Sequence, residues 1–127
     1  MSLETRLSAL ITAIGADIKA SKLAITAITS SATPTPVGSA EKNQFNVTAQ
    51  AATGTFAAPS GTPADGNTLI IRIKDNGTAR TLAWNAIYRA IGVTLPTTTV
   101  ISKTMYIGAR YNSADSKWDV IAVGQEA

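Results

Sequence analysis

Histidine and cysteine are both absent from this chain. That removes the commonest metal ligands, the usual neutral-pH proton shuttle, thiol nucleophiles and disulfides together. No metal and no cofactor is expected. Aromatic residues are only 6% of the chain and all follow Gln44, so the two parts of the sequence carry different structural tasks. No stretch approaches the roughly 18 apolar residues of a bilayer span, and Glu4 and Arg6 interrupt the start where a signal peptide would have its apolar core. A soluble protein without membrane insertion is expected. The net charge is +3, from basic residues placed singly and not in runs, which argues against a nucleic-acid partner. At 127 residues the chain suits one folded body with an appendage.

Near the start, Leu7, Ile11, Ile14, Ile18, Ser21, Ile25 and Ile28 recur in alternating steps of four and three. This is a heptad pattern of about three repeats, broken only by Ser21. Ser2 suits an N-cap and Glu4 complements the helix dipole, so the pattern predicts a helix from Leu3 to Thr29, about 40 Å long. Isoleucine at both seam sites shifts parallel coiled coils from dimers toward trimers and tetramers, and a homotrimer is the first reading. The competing reading is an amphipathic helix packed on its own domain, because Leu3 and Leu10 widen the apolar face.

Residues 33–42 begin with Thr33-Pro34-Thr35-Pro36, where alternating prolines impose extended backbone, and they are read as a stiff linker. From residue 43 the period becomes two. Phe45, Val47 and Ala49 alternate with polar neighbours, as do Leu69, Ile71 and Ile73 with Ile70, Arg72 and Lys74. Asn76-Gly77 predicts a hairpin between that run and Leu82 to Trp84. A second hairpin is predicted from the Thr104–Tyr111 run to the Lys117–Val123 run through Asn112 to Ser116. In the last strand, simple alternation sets Trp118, Val120 and Ala122 against Ile121 and Val123. Ala86 to Val93 reads as one helical turn or a loop.

The acids of the β-rich half, Glu41, Asp65, Asp75, Asp115, Asp119 and Glu126, mostly lie at predicted turns, where aspartate bonds the local backbone. Their spacing singles out no catalytic carboxylate pair, and no catalytic residue is assigned. Asp75-Asn76-Gly77 lacks the later acidic ligands of an EF-hand, and no Gly-Lys-Ser or Gly-Lys-Thr phosphate loop occurs. Trp84, Tyr88 and Tyr106 are candidate glycan contacts if they are exposed together, but aromatics this sparse more often belong to a core or an interface.

The run from Asp65 through Ile70-Ile71-Arg72-Ile73-Lys74-Asp75-Asn76-Gly77 to Leu82 resembles β modules of tail-fibre, head-fibre and other minor structural proteins of tailed bacteriophages. Trp84 to Gly92 and Lys117 to Val123 look similar too, and the first twenty residues are similar to the helical segments such proteins place before β modules. The resemblance implies a virion location and a trimeric β-rich body. It assigns no receptor and no catalytic residue.

The expected fold is therefore mainly β, with a coiled-coil-like trimeric helix (1–32), a linker (33–42) and an antiparallel β-sandwich or jelly-roll-like domain (43–127). Leu7, Ile11, Ile14, Ile18, Ile25 and Ile28 are the expected oligomerisation or anchoring residues. The expected function is that of a non-enzymatic capsid decoration or head-fibre protein on the virion exterior. Its partners would be two further copies and the major capsid protein or another virion protein. The chain is short for a shaft with a separate tip, which favours capsid over tail. The alternatives are a tail-fibre or baseplate accessory protein and an adhesin module that binds a host-surface glycan. A glycan depolymerase would require two acids to meet in a cleft.

Overall fold

The computed structural model describes residues 1–21 and 24–127, and the side chains of 1–17 and 24–127. The chain is mainly β, with one N-terminal helix and a mixed six-stranded sheet. Helix α1 spans Leu3–Ser21, about 28 Å at 1.5 Å per residue. Ser2 caps it as expected: its Oγ accepts a hydrogen bond from the Thr5 N–H at 3.2 Å, and its carbonyl accepts one from the Arg6 N–H.

The helix does not reach Thr29. Ala24–Ile28 forms strand β1, which places Ile25 and Ile28 outside any helical seam. The run Ile25-Thr26-Ala27-Ile28-Thr29 is rich in β-branched residues that fit a pleated surface better than a helix. Its period of two also satisfies the core: Ile28 packs inward while Ile25 points out. Ile25 and Ile28 would share one face of a helix and lie on opposite faces of a strand, and pairing with the open edge of β2 decides between the two.

The remaining strands are β2 (Lys42–Gln50), β3 (Gly54–Phe56), β4 (Thr68–Asp75), β5 (Leu82–Trp84), β6 (Tyr88–Ala90), β7 (Met105–Asn112) and β8 (Lys117–Gln125). The large sheet has the order β1-β2-β4-β7-β8-β6, and β3 and β5 form a separate pair. The expected antiparallel arrangement is corrected. The β1–β2, β2–β4, β6–β8 and β3–β5 pairs are parallel, and only β4–β7 and β7–β8 are antiparallel.

Parallel neighbours need crossover connections, and here the crossovers build the other side of the core. Phe56 of β3 and Leu82 of β5 join Phe45, Val47, Leu69, Ile71, Ile73, Ile107, Trp118 and Val120 of the large sheet in one buried cluster. Residues 33–42 belong to this layer and are not a free linker. Pro34 and Pro36 are fully buried, and the carbonyls of Ala32, Pro34 and Pro36 accept hydrogen bonds from the N–H groups of Thr55, Ala57 and Ser60. The two prolines lack an N–H and can only accept, and the segment donates back through Gly38, whose N–H meets the Ser60 carbonyl at 2.8 Å.

Asn76-Gly77 makes a turn but not a hairpin, because β5 pairs with β3 and not with β4. The buried Asp75 redirects the chain. Its carboxylate accepts hydrogen bonds from the Gly77 N–H (3.0 Å), the Ser102 N–H (2.8 Å) and the Thr99 hydroxyl (2.8 Å), tying three segments to the end of β4. Ala86 to Val93 contains strand β6, paired with β8, instead of a helical turn.

The β7–β8 hairpin is where the sequence places it, with one bulge. Ala109 pairs with Val120 and Gly108 with Ala122, so Ile121 is the extra residue. Beyond the bulge the alternation flips, and Val123 packs against the core beside Trp118 and Val120 while Ala122 takes the outer face.

Two predictions follow from this packing. A Cβ at Gly38 would lie 2.6 Å from Cζ2 of Trp118 and 2.9 Å from Cβ of Pro59. Gly38→Ala should therefore destabilise the body by about 1–3 kcal/mol in urea unfolding, with an unchanged far-ultraviolet spectrum in water. For Asp75, burial alone would raise the carboxyl pKa, but the hydrogen bonds from Ser102, Thr99 and Gly77, with the field of Arg80, hold it below the usual range. Its contribution to stability is complete above the unfolded value of about 3.9 and is lost as pH falls through the lower folded value. Asp75→Asn should lower stability at neutral pH by about 1–3 kcal/mol and flatten the loss seen as pH falls below about 4.

Candidate functional site

Helix α1 stands apart from the β body. Leu7, Leu10, Ile11 and Ile14 are 48–61% exposed, Leu3 more so, and every described side chain of the helix is exposed. Among the described residues, its apolar stripe has no partner in its own chain. At 100° per residue, Leu3, Leu7, Leu10, Ile11 and Ile14 share one face, with Glu4 and Asp17 on its two flanks. A lone helix of this length is marginal in water, and Gly15 weakens it further, so the stripe is a face made to be buried.

The six residues expected to assemble the protein are thus divided. Leu7, Ile11 and Ile14 lie together on the exposed stripe. Ile18 lies within α1, but its side chain is outside the described residues. Ile25 is exposed on edge strand β1, and Ile28 belongs to the core. Leu3 and Leu10, which the heptad pattern leaves aside, complete the stripe.

The three candidate glycan aromatics are also divided. Tyr88 is buried, and its hydroxyl donates to the Ala57 carbonyl at 2.9 Å. Burial pushes its phenol pKa well up. Trp84 stacks on Phe56 with ring centroids 4.5 Å apart, meets Tyr88 edge-on, and donates its Nε1–H to the Pro96 carbonyl at 2.8 Å. Both rings therefore hold β5 and β6 to the core. Tyr106 alone is exposed, on the outer face of the large sheet, where it pairs with Arg72 of β4 and Gly124 of β8.

Of the acids, Asp115 and Asp119 come together, around Arg89. The guanidinium meets Asp119 through Nε (2.7 Å) and Nη2 (3.0 Å), and Asp115 through Nη2 (2.9 Å). Asn112 donates to both carboxylates. The Arg89 hydrogen bonds hold the Asp119 carboxyl below its usual range despite partial burial. Two acids sharing one arginine clamp β6 and the hairpin turn to β8.

Sequence reasoning missed one grouping. Arg72 and Lys74 alternate outward along β4 and, with Val47, Thr48, Thr104 and Tyr106, line a shallow depression of about 240 Å³ on the outer face. The outward positions of the two cations were legible in the strand pattern, but the residues that join them come from other strands.

Among the described residues, no helix is long and apolar enough to cross a membrane. Comparison with family models, with curated proteins and with solved structures finds no match.

The different placements of the tyrosines can be checked chemically. Limited nitration with tetranitromethane followed by peptide mass spectrometry should modify Tyr106 first and spare Tyr88, and early loss of Tyr88 would contradict its burial.

Proposed function

We propose that this chain is a non-enzymatic structural subunit of a phage particle, a trimeric capsid decoration or head-fibre protein. In this reading α1 supplies the assembly or anchoring contact and the β body projects from the surface. The observation that carries the reading is the apolar face of α1, which no described residue of its own chain covers. Burying each leucine or isoleucine of that face contributes about 1.5–3 kcal/mol, enough in sum to order a marginal helix and hold copies together.

Leu7, Ile11, Ile14 and Ile18 keep the four-three-four spacing of a coiled-coil seam, and isoleucine at both seam sites supports three strands over two. Leu3 and Leu10 lie at the margin of that seam and suit a contact with the particle surface. Three anchored copies would dissociate far more slowly than one, which a surface decoration requires. The β body, with residues of two sheets sharing one core, is read as a small sandwich. The phage assignment itself draws on the likeness of the Asp65–Leu82 run to virion β modules.

Light scattering on the purified protein should give three times the 13.1 kDa chain mass. A monomer at micromolar concentration would defeat the trimer. Ile14→Asp combined with Ile18→Asp should release monomers without shifting the urea midpoint of the β body by more than about 0.5 kcal/mol, because Ile14 is exposed. Subnanometre imaging of the native particle distinguishes density on the capsid lattice from density at the tail, and density at the tail would replace the decoration reading with the accessory one.

A further inference from the structure

The outer face of the large sheet carries a second feature, independent of the helix. Along β4, Leu69, Ile71, Ile73 and Asp75 point into the core, so Arg72 and Lys74 must point out. Beside them β2 carries an extra residue, since Val47 pairs with Ile73 and Gln50 with Asp75, three steps against two. A bulge of this kind bends the strand, and here Val47 and Thr48 border the resulting depression.

On the other side of β4, Tyr106 stands opposite Arg72, and its own neighbour on β8 is Gly124. A side chain at Gly124 would meet nothing within 4 Å, so that flank of the Tyr106 ring is open. Thr104 closes the end of the depression, its N–H donating to Glu126 at 2.8 Å. Among the described residues, the side chains of Arg72 and Lys74 form no hydrogen bond and no ion pair with the protein.

We propose that this depression binds a carboxylated sugar, a uronic or sialic acid residue. In this site Arg72 and Lys74 hold the carboxylate, the Tyr106 ring carries one face of the sugar, and Thr48 and Thr104 meet its hydroxyls. The chemistry matches group by group. A guanidinium presents a planar fork that takes a carboxylate in two parallel hydrogen bonds. An exposed aromatic face covers the apolar face of a sugar ring. At about 240 Å³ the space falls below the roughly 300–1,000 Å³ of sites that enclose drug-sized ligands, and suits one ring.

Glu126 lies beside the depression, on the Thr104 N–H and 3.9 Å from Lys103 Nζ. Two free cations form no track along which a polynucleotide could run, which favours a single carboxylate over a phosphate backbone. This site does not depend on assembly through α1, because every residue in it belongs to the β body of one chain.

The test uses the assembled protein, isotopically labelled, with methyl glucuronide, methyl galacturonide and methyl N-acetylneuraminide as probes. Methyl glucoside serves as the uncharged control, and inorganic phosphate and a thymidine oligonucleotide as other anions. At least one acidic sugar should shift the amide resonances of Arg72, Lys74 and Tyr106, with a Kd on the order of 1 mM. Arg72→Gln should weaken binding about tenfold and Arg72→Lys less, because lysine keeps the charge and loses the fork. Tyr106→Phe should bind as the parent does, and Tyr106→Ala should lose most of the affinity. All three positions face outward, so an unchanged urea midpoint separates lost binding from lost folding.

The proposal is overturned if no acidic sugar shifts these resonances, if the glucoside binds as well, if phosphate or the oligonucleotide binds more tightly, or if Arg72→Gln has no effect. None of these outcomes bears on the oligomer mass, so failure here and failure of the assembly reading are distinguishable.

Discussion

Strand β4 has to satisfy two neighbours and one core at once, and the rest of the body is arranged around that demand. Its inward residues Leu69, Ile71 and Ile73 are completely buried. One edge pairs with β2 in parallel and the other with β7 in antiparallel fashion. On the antiparallel side the chain reaches β7 only after the stretch that carries β5 and β6, and β7 and β8 then follow as a hairpin. On the parallel side the chain must travel back to its starting end, and that return carries β3 across the inner face. The second layer of the core is thus built from the two connections that flank β4, β3 from the return of β2 and β5 from the path to β7. Asp75, at the end of β4, fixes where the chain leaves the sheet for β5.

How much of this was legible in the sequence follows from how local each signal is. The period-two runs gave β2, β4, β7 and β8, and the turn residues Asn112 to Ser116 located the one hairpin between consecutive strands of the large sheet. Ser2 as helix cap was legible because capping involves only residues three or four apart. The helix end was misplaced because Ile25 and Ile28 fit a heptad as well as a strand, and the choice lies with their partners Gln44 and Val47 on β2, far away in sequence. The Asn76-Gly77 signal was sound as a turn and misleading as a hairpin, because Asp75 engages Thr99 and Ser102 instead of closing a two-stranded ladder. Pro34 and Pro36 read as a spacer, but apolar rings without donors also suit the edge of a buried layer. The bulge at Ile121 leaves no mark in the strand's composition.

The same division applies to the surfaces. The apolar stripe of α1 was visible because helical spacing is written in the sequence, although its extent was overdrawn by β1. The aromatic set was not assignable, since each ring's fate depends on distant carbonyls, Ala57 for Tyr88 and Pro96 for Trp84. Arg72, Lys74 and Tyr106 are neighbours only because β4 and β7 pair in one particular register, so their grouping could not be read before that pairing was known.

The contrast between α1 and the body extends to the order in which they form. Contacts within a helix join residues four apart, whereas three of the five strand pairs in the large sheet are parallel and link distant stretches of chain. Chains dominated by such distant pairings fold slowly, while a helix of this length relaxes within about a microsecond. During synthesis α1 emerges ahead of the strands that make up the body, so its apolar face is present before they exist. Copies held together at that stage would bring unpaired strand edges into close contact. In the proposed assembly, the marginal stability of the lone helix, weakened by Gly15, would delay association until the body behind it has closed.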